Sequence, residues 1–316
     1  MVSLHIPSFP VILLAVGIFA LPMAAHAGDR GNANTSDGAF SLYALTTGYG
    51  KTAMGYDSMR FNTTGSYNTG IGYQALDQNN ATYNCALGYQ ALYSNTTGVN
   101  NAASGFQALY SNTDGYHNVA SGFYALLSNT TGYYNSATGA QSLQYNSTGF
   151  NNTASGAIAL YYNHTGHDNS ASGCFALSSN NTGNFNSATG SSSLRFNWDG
   201  SNNTATGYQA LYNNSGGNNN TAEGFGSLYA LTTGSNNVTL GSNAGNKLTT
   251  GSNNIVIGAN VLGNSADAST TRIGNSTQKK TFIGGISGKT VANGVAVIIN
   301  FQRPARYHSI FRTFQG

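Results

Sequence analysis

The sequence predicts a mainly β fold, a single-domain parallel β-solenoid (β-roll) of about fourteen coils with 17 residues each. The first observation is a glycine that leads each copy, from Gly38 to Gly258, at a spacing of 17 residues except for one of 16. The second is a leucine four places after nearly every lead glycine. The third is a short strand-like segment at the end of each copy. Self-similarity at a fixed short period is typical of stacked repeats, which bury apolar side chains against their neighbours.

Residues 1–27 have the pattern of a secretory signal peptide. The apolar run Val11–Leu21 has the usual length of such a signal and is too short to span a bilayer as a helix. Ala25-His26-Ala27 matches a cleavage site, so we expect the mature chain to begin at Gly28 and to have no membrane-spanning segment. The segment before the run has His5 but no Lys or Arg. A buried helix and an uncleaved membrane anchor are the alternatives.

Residues 28–37 form a polar lead-in, and the repeat array occupies residues 38–270. In a clear copy, Gly105-Phe-Gln-Ala-Leu-Tyr-Ser-Asn-Thr-Asp-Gly-Tyr-His-Asn-Val-Ala-Ser121, aromatic residues flank the small and apolar ones. One short helical turn would place these residues on one face, and a bent strand is the alternative. Glycines turn the chain, because a left-handed φ costs them nothing sterically. The coil-turn glycines of the central copies are Gly88, Gly105, Gly122, Gly139, Gly156, Gly173, Gly190 and Gly207.

The end of each copy is predicted to be a strand. Asn237-Val-Thr-Leu-Gly241 and Asn254-Ile-Val-Ile-Gly258 are β-branched and alternating. Asn101-Ala-Ala-Ser-Gly105 occupies the same slot, so we extend the strand to all copies and expect its last small residues to point into a narrow core. Successive strands would pair in parallel at about 4.8 Å per layer, which gives a rod of roughly 65 Å.

Two columns of identical residues would stack inside this rod, since residues one repeat apart lie above each other. The asparagine before each strand would form hydrogen bonds to its counterparts above and below. The leucines would form a continuous internal ladder with a structural role. Its central members are Leu92, Leu109, Leu126, Leu143, Leu160, Leu177, Leu194 and Leu211.

The chain changes character after the array. Residues 271–300 contain strand-like pieces at Arg272–Gly274, Thr281–Ile283 and Val291–Ile299, and we interpret them as a C-terminal β cap or neck-like segment. Residues 301–316 carry three Arg, one His and three Phe without the repeat rhythm. We interpret them as an irregular, truncated or frame-shifted end, with a genuine short basic tail as the alternative.

The composition argues against nucleic acid as a partner. Charged residues make up 7% of the chain and the formal net charge is +3. Seven of the twelve Lys and Arg lie at or after Arg272, so the array lacks a basic groove. Low charge with many aromatic residues also differs from the usual composition of disordered chains.

The two cysteines, Cys85 and Cys174, lie about five repeats apart. At about 4.8 Å per layer they would be about 24 Å apart, whereas a disulfide needs Cα atoms within about 7 Å. We therefore predict no internal disulfide. Each cysteine is interpreted as a small apolar filler, with an intermolecular link as the alternative.

The acidic residues do not indicate an active site. They fall in different copies and at different repeat positions, whereas a glycosidase needs a convergent carboxylate pair. We predict that the protein is not an enzyme and has no cofactor. The residues are Asp57, Asp77, Asp114, Asp168, Asp199 and Glu223.

A metal site is not predicted either. His164 and His167 flank the turn glycine Gly166, with Asp168 beside them, but a metal site needs three or four ligands at fixed geometry. The sequence also has Asn-x-Ser/Thr triplets, which would be glycosylation acceptors only in the right secretory host. Examples begin at Asn62, Asn95, Asn129 and Asn146.

The unit at Gly88–Gly98, Gly-Tyr-Gln-Ala-Leu-Tyr-Ser-Asn-Thr-Thr-Gly, is followed by Asn100-Asn-Ala-Ala-Ser-Gly105. It resembles repeats in the YadA-like heads of trimeric autotransporter adhesins, and also the shafts of bacterial tail-fibre-like surface proteins. Thr281-Phe-Ile-Gly-Gly-Ile-Ser-Gly288 with Val295–Ile299 is similar to the segment that closes such heads. The resemblance covers roughly residues 38–299 and implies a secreted homotrimer of β-rolls. The best-known heads have a shorter repeat, and the resemblance does not extend to an outer-membrane anchor.

These observations predict a non-enzymatic fibrous protein, secreted or at the bacterial outer surface, that acts as an adhesin-type head against host or matrix surfaces. Tyr and Phe exceed what so narrow a core can hold, and a long apolar stripe usually marks an interface. Three copies could pack with their stripes at the centre. A host surface or a glycan is the expected ligand, because Tyr combines contact area with a polar tip. A solenoid lectin or a polysaccharide-acting enzyme is the alternative.

Overall fold

The computed structural model describes residues 28–29 and 32–278, and this part of the chain is an all-β solenoid of about fourteen turns. Its single sheet has sixteen strands in sequence order. The predicted parallel β-solenoid is confirmed. The strands of the described residues are β1 Gly28–Asp29, β2 Thr35–Asp37, β3 Thr52–Met54, β4 Thr69–Ile71, β5 Cys85–Leu87, β6 Ala102–Ser104, β7 Val119–Ser121, β8 Ser136–Thr138, β9 Thr153–Ser155, β10 Ser170–Ser172, β11 Ser187–Thr189, β12 Thr204–Thr206, β13 Thr221–Glu223, β14 Val238–Leu240, β15 Ile255–Ile257 and β16 Thr271–Ile273.

Several sequence predictions fall on other residues. The signal peptide (1–27), the cap beyond residue 278 and the irregular tail (301–316) lie outside the described residues.

The polar lead-in contains β1 and β2, which pair antiparallel. Every later pair, from β2 to β16, is parallel.

The strands pair residue for residue between equivalent positions of the repeat. Ala103 of β6 pairs with Ala120 of β7, for example. Within β6, only the central Ala103 is buried, while Ala102 and Ser104 are exposed. Our expectation that the last small residues all point inward is therefore wrong for Ser104, because side chains alternate between the two faces of a strand.

The first half of each coil contains no helical turn in the described residues. Gln107 and Leu109 have φ values of 51° and 54°, whereas a right-handed helix has negative φ throughout. The N–H of Gln107 donates to the Tyr89 carbonyl of the preceding coil at 2.9 Å, and the N–H of Leu109 donates to the Ala125 carbonyl of the following coil at 3.0 Å. The N–H groups of these two residues thus point to opposite neighbouring coils, whereas the N–H of Ala108 between them donates to the Gly105 carbonyl of its own coil.

The lead glycines are required both by conformation and by space. The eight central coil-turn glycines have φ between +122° and +143°, where side-chain-bearing residues are strained. At Gly122 an added Cβ would lie 2.5 Å from the carbonyl oxygen of Gly139 in the next coil. Glycine therefore allows backbone to pack directly on backbone at this corner of the coil.

The core is a narrow column of leucine and alanine side chains. All eight central ladder leucines are 0% exposed and belong to one continuous apolar cluster. Because each coil contributes one leucine and small residues, the core is thin and large aromatic rings are left on the outside. In the part of the chain that the structure describes, no helix has the length and apolar character needed to cross a membrane.

Candidate functional site

The outer surface of the early coils presents a line of stacked aromatic rings. Each ring belongs to the residue directly after a lead glycine, so stacking the coils places the rings above one another. The ring centroids of neighbouring members are 4.9 to 5.6 Å apart, and each residue is 40–47% exposed. We call this set the ring ladder. Its members are Tyr56, Tyr73, Tyr89, Phe106 and Phe123.

The ring ladder is interrupted in the middle of the array. The same column holds small residues over four coils: Ala140, Ala157, Cys174 and Ser191. It resumes with Tyr208 and Phe225, whose rings stack at 5.5 Å. The column of residues that follow the lead glycines therefore has large aromatic side chains toward both ends and small side chains between them.

A second stack lies at the turn after the inner glycine of the coil, and we call it the turn ladder. It consists of Tyr116, Tyr133, Phe150 and His167, with centroid distances of 4.9, 4.9 and 4.6 Å. Such stacking contributes roughly 1 kcal/mol per pair beyond the burial of area. Each ring packs against its neighbours and is partly exposed to solvent.

His167 is a member of the turn ladder and His164 lies near it in sequence, but the structure does not bring them together as metal ligands. Nδ1 of His167 lies 2.8 Å from Oδ2 of Asp168, while His164 stacks loosely on Tyr162 at 6.5 Å. Among the described residues, no three His, Cys, Asp or Glu side chains come together to hold a metal ion.

The acidic residues are mostly exposed on separate coils, as Asp114, Asp199 and Glu223 are. Asp57 and Asp77 differ from these, because their carboxylates lie close enough to affect each other. Both are buried. Burial raises the pKa of Asp77 to about 6, and the neighbouring carboxylate of Asp57 adds to the increase. A pair shielded from solvent in this way cannot reach a polymeric substrate.

Two further interpretations change with the structure. Cys85 and Cys174 are free and exposed, so reading them as apolar fillers of the core is wrong. Both lie at outward-facing positions, one in β5 and one directly after a lead glycine. The asparagines of the Asn-x-Ser/Thr triplets that begin at Asn62, Asn95, Asn129 and Asn146 are completely buried, so a glycosylating enzyme could not reach them in the folded protein. Other triplets begin at exposed asparagines, for example Asn80 and Asn151.

A cleft of about 350 Å³ opens on the outer face beside the interruption of the ring ladder. Its lining includes Tyr161, Phe175, Ser178, Arg195 and Phe196. The sequence alone did not predict a site at these residues. The available signal was a pair of serines in a slot that bulky residues occupy in the flanking copies.

No protein-family model matches the chain, and no curated protein shows significant similarity to it.

Proposed function

We propose that this protein is the adhesin-type head of a secreted or cell-surface fibre, which acts by contact and not by catalysis. The observation that carries the proposal is the ring ladder, a straight line of exposed aromatic residues. Monomeric soluble proteins rarely expose a contiguous apolar stripe, and such stripes usually mark interfaces. The resemblance to YadA-like heads supports the same role.

The first partner of the ring ladder is a second and third copy of the same chain. About two fifths of each ring residue is exposed, which is roughly 80 Å² for a side chain of about 200 Å². Burying it would stabilise the assembly by about 2 kcal/mol per ring. Because the stripe follows the coil stack, a three-fold bundle would bury every ring at its centre.

The faces that point away from this bundle would make contact with a host or matrix surface. The turn ladder offers stacked rings there, and the array has few charges. Tyrosine rings with polar tips suit both protein and glycan surfaces. A solenoid lectin is the second candidate, and the aromatic cleft beside Arg195 favours it.

Sedimentation of the purified protein tests the assembly. We expect a trimer over a wide range of concentration. Replacing Phe106 and Phe123 of the ring ladder by Ser is expected to yield monomers, while the matched change of Tyr116 and Tyr133 in the turn ladder leaves the trimer intact. A wild-type monomer at all concentrations would contradict the proposed trimer.

The location is tested separately. N-terminal sequencing of the exported protein is expected to begin at Gly28, and protease added to intact cells is expected to digest the protein. A chain that retains residues 1–27 and resists protease on intact cells would contradict surface display.

A further inference from the structure

The cleft owes its shape to a missing pair of bulky side chains. Ser178–Ser179 occupy the fifth and sixth places after their lead glycine. The same places hold Tyr161–Tyr162 in the coil before and Arg195–Phe196 in the coil after. All six side chains line the cleft. The serines form the floor, and the larger side chains form two walls.

The gap between the walls has the thickness of one ring. Tyr145, Tyr162, Ser179 and Phe196 occupy the same position in four successive coils. The rings of Tyr145 and Tyr162 stack with centroids 5.3 Å apart. Ser179 interrupts this column, so Tyr162 and Phe196 are two layers apart, roughly 10 Å at about 4.8 Å per layer. A single flat or ring-shaped group can therefore lie between them.

One wall carries a guanidinium group that has no acidic partner. Cζ of Arg195 lies 4.5 Å from the ring centroid of Phe175 and 5.3 Å from that of Phe196. Its Nη1 is 3.4 Å from the hydroxyl of Tyr212. The ion pairs among the described residues join other side chains, at Asp57, Asp168 and Asp267. Cation–π contacts thus hold the guanidinium group of Arg195 at the cleft and leave its positive charge without a carboxylate partner.

Arg60 shows what the same slot looks like when the charge is neutralised. It also stands five places after its lead glycine, and its Cζ lies 5.0 Å from the centroid of Phe61. There, the carboxylate of Asp57 approaches its Nη1 at 3.4 Å. Ser192 has the same position relative to Arg195 as Asp57 has relative to Arg60. The φ angles of Asp57 and Ser192 are similar, at 55° and 57°. The array therefore contains one arginine with an internal carboxylate and one without.

We propose that this cleft binds a sugar that bears a carboxylate, such as a uronic or nonulosonic acid unit of a glycan. The carboxylate of the sugar accepts hydrogen bonds from Arg195, as the Asp57 carboxylate does from Arg60. The sugar ring lies between Tyr162 and Phe196. The inference rests on the proposed contact function, and it names the ligand class of that function. Bidentate pairing with carboxylates is the geometry for which a guanidinium is best suited.

The remaining lining suits the hydroxyl groups of such a ligand. Tyr161 adds a phenolic hydroxyl, which is protonated at neutral pH in any tyrosine; burial, together with interactions with Tyr145 and Tyr162, raises its pKa further, to about 12. Ser178 and Ser179 add small hydroxyl groups at the floor. The volume of about 350 Å³ lies within the usual range of ligand sites.

Matched sugars test the proposal on the full-length protein. The first pair is sialyllactose and lactose; the second is a hyaluronan hexasaccharide and chitohexaose. Binding is measured by titration NMR. We expect each acidic sugar, or one of the two, to bind at least about tenfold more tightly than its neutral partner, because hydrogen bonds between charged groups are the strong ones. The pair that responds identifies whether the acid is nonulosonic or uronic.

Two substitutions locate the site. Arg195→Gln is expected to abolish the preference for the acidic sugar. Ser192→Asp supplies an internal carboxylate with Arg195 intact, and it is expected to weaken acidic-sugar binding at least about tenfold. Ser192→Asn is the uncharged control of the same shape and is expected to change affinity less than about twofold. Unchanged melting temperatures would show that all three variants fold.

Equal binding of acidic and neutral sugars, absence of binding to both acidic sugars, or wild-type binding by both Arg195→Gln and Ser192→Asp would overturn the inference. The oligomeric state is measured on the same samples. A trimer that fails to bind acidic sugars would contradict this inference and leave the proposed fibre standing. A monomer that binds them would contradict the proposed trimer alone.

Discussion

Asn112 donates a hydrogen bond from its side-chain Nδ2 to Oδ1 of Asn95, one coil earlier, at 2.7 Å. Asn129 donates the same bond to Asn112 at 2.7 Å. The pattern continues without a break from Asn79 to Asn214. It ends where Leu231 takes the place of the next asparagine, and Oδ1 of Asn214 is left without a partner. Buried amides thus bind one coil to the next, and they do so only when the coils are in register.

Replacing one member should therefore cost more than one bond. Asn129→Ala leaves Oδ1 of Asn112 and Nδ2 of Asn146 without their mutual partner. Each unsatisfied buried group costs about 1–3 kcal/mol, so we expect a loss of about 3 kcal/mol in the free energy of unfolding. Urea unfolding measures it, with the exposed Thr131→Ala as the control. A loss no larger than that of the control would show that the ladder contributes little.

Neighbouring leucines provide a matched test of the core. Leu126 is fully buried, and Leu127, the next residue, is only half-buried. We expect Leu126→Ala to lower the free energy of unfolding by about 3 kcal/mol and Leu127→Ala by about 1 kcal/mol, because only the first leaves a cavity. Thermal and urea unfolding of both variants measure the difference. Equal losses would contradict the placement of Leu126 in the core.

A glycine pair tests the packing of backbone on backbone. Gly122→Ala would place a Cβ 2.5 Å from the Gly139 carbonyl oxygen at a φ of +143°. At Gly216 the nearest contact is the flexible side chain of Asp199, at 3.0 Å. We expect Gly122→Ala to destabilise the protein by at least about 3 kcal/mol through strain and contact, and Gly216→Ala by less than about 1 kcal/mol. Comparable melting temperatures for the two variants would refute this explanation of the lead glycines.

The buried carboxyl of Asp77 gives the stability a specific pH dependence. Its pKa is raised to about 6 in the folded protein, mainly by burial. In the unfolded chain it is near 4, so between these values the folded state binds more protons. Its contribution to stability is therefore fully present below about pH 4 and is lost as the pH rises through about 6.

Asp77→Asn removes this titration and keeps an oxygen that can accept the hydrogen bond from Nε2 of Gln78. We expect the variant to match the wild type in melting temperature at pH 4 and to exceed it at pH 7. The exposed Asp199→Asn is the control and should show no such change. A wild type that is the more stable protein at pH 7 would show that the charged form of Asp77 is stabilising.

The period of the fold was predictable because every coil repeats the same requirement for glycine, leucine and a strand. The path of the first half of the coil was not. Leu109 and Gln107 adopt positive φ, which their local preferences oppose. They do so because hydrogen bonds to both neighbouring coils outweigh local strain, and those bonds exist only in the stack.

The sequence did not predict that the asparagine column from Asn79 to Asn214 is buried, for a similar reason. A residue such as Asn112 looks like a solvent-exposed turn residue in one coil, and it finds its partner 17 residues away. The cleft depends on the same relationship. Ser179 is unremarkable in its own coil, and it becomes a gap only when Tyr162 and Phe196 are placed on either side.

Deletion of one coil tests in-register stacking most directly. Removing residues 105–121 takes out one whole repeat and places Gly122 where Gly105 was, so every ladder stays aligned. Removing residues 105–113 brings unlike positions together. We expect the whole-repeat deletion to melt within about 5 °C of the wild type, because repeat stability is roughly a sum over neighbours, and the partial deletion to melt at least about 10 °C lower or not to fold. Equal damage from both deletions would contradict a rod built from interchangeable coils.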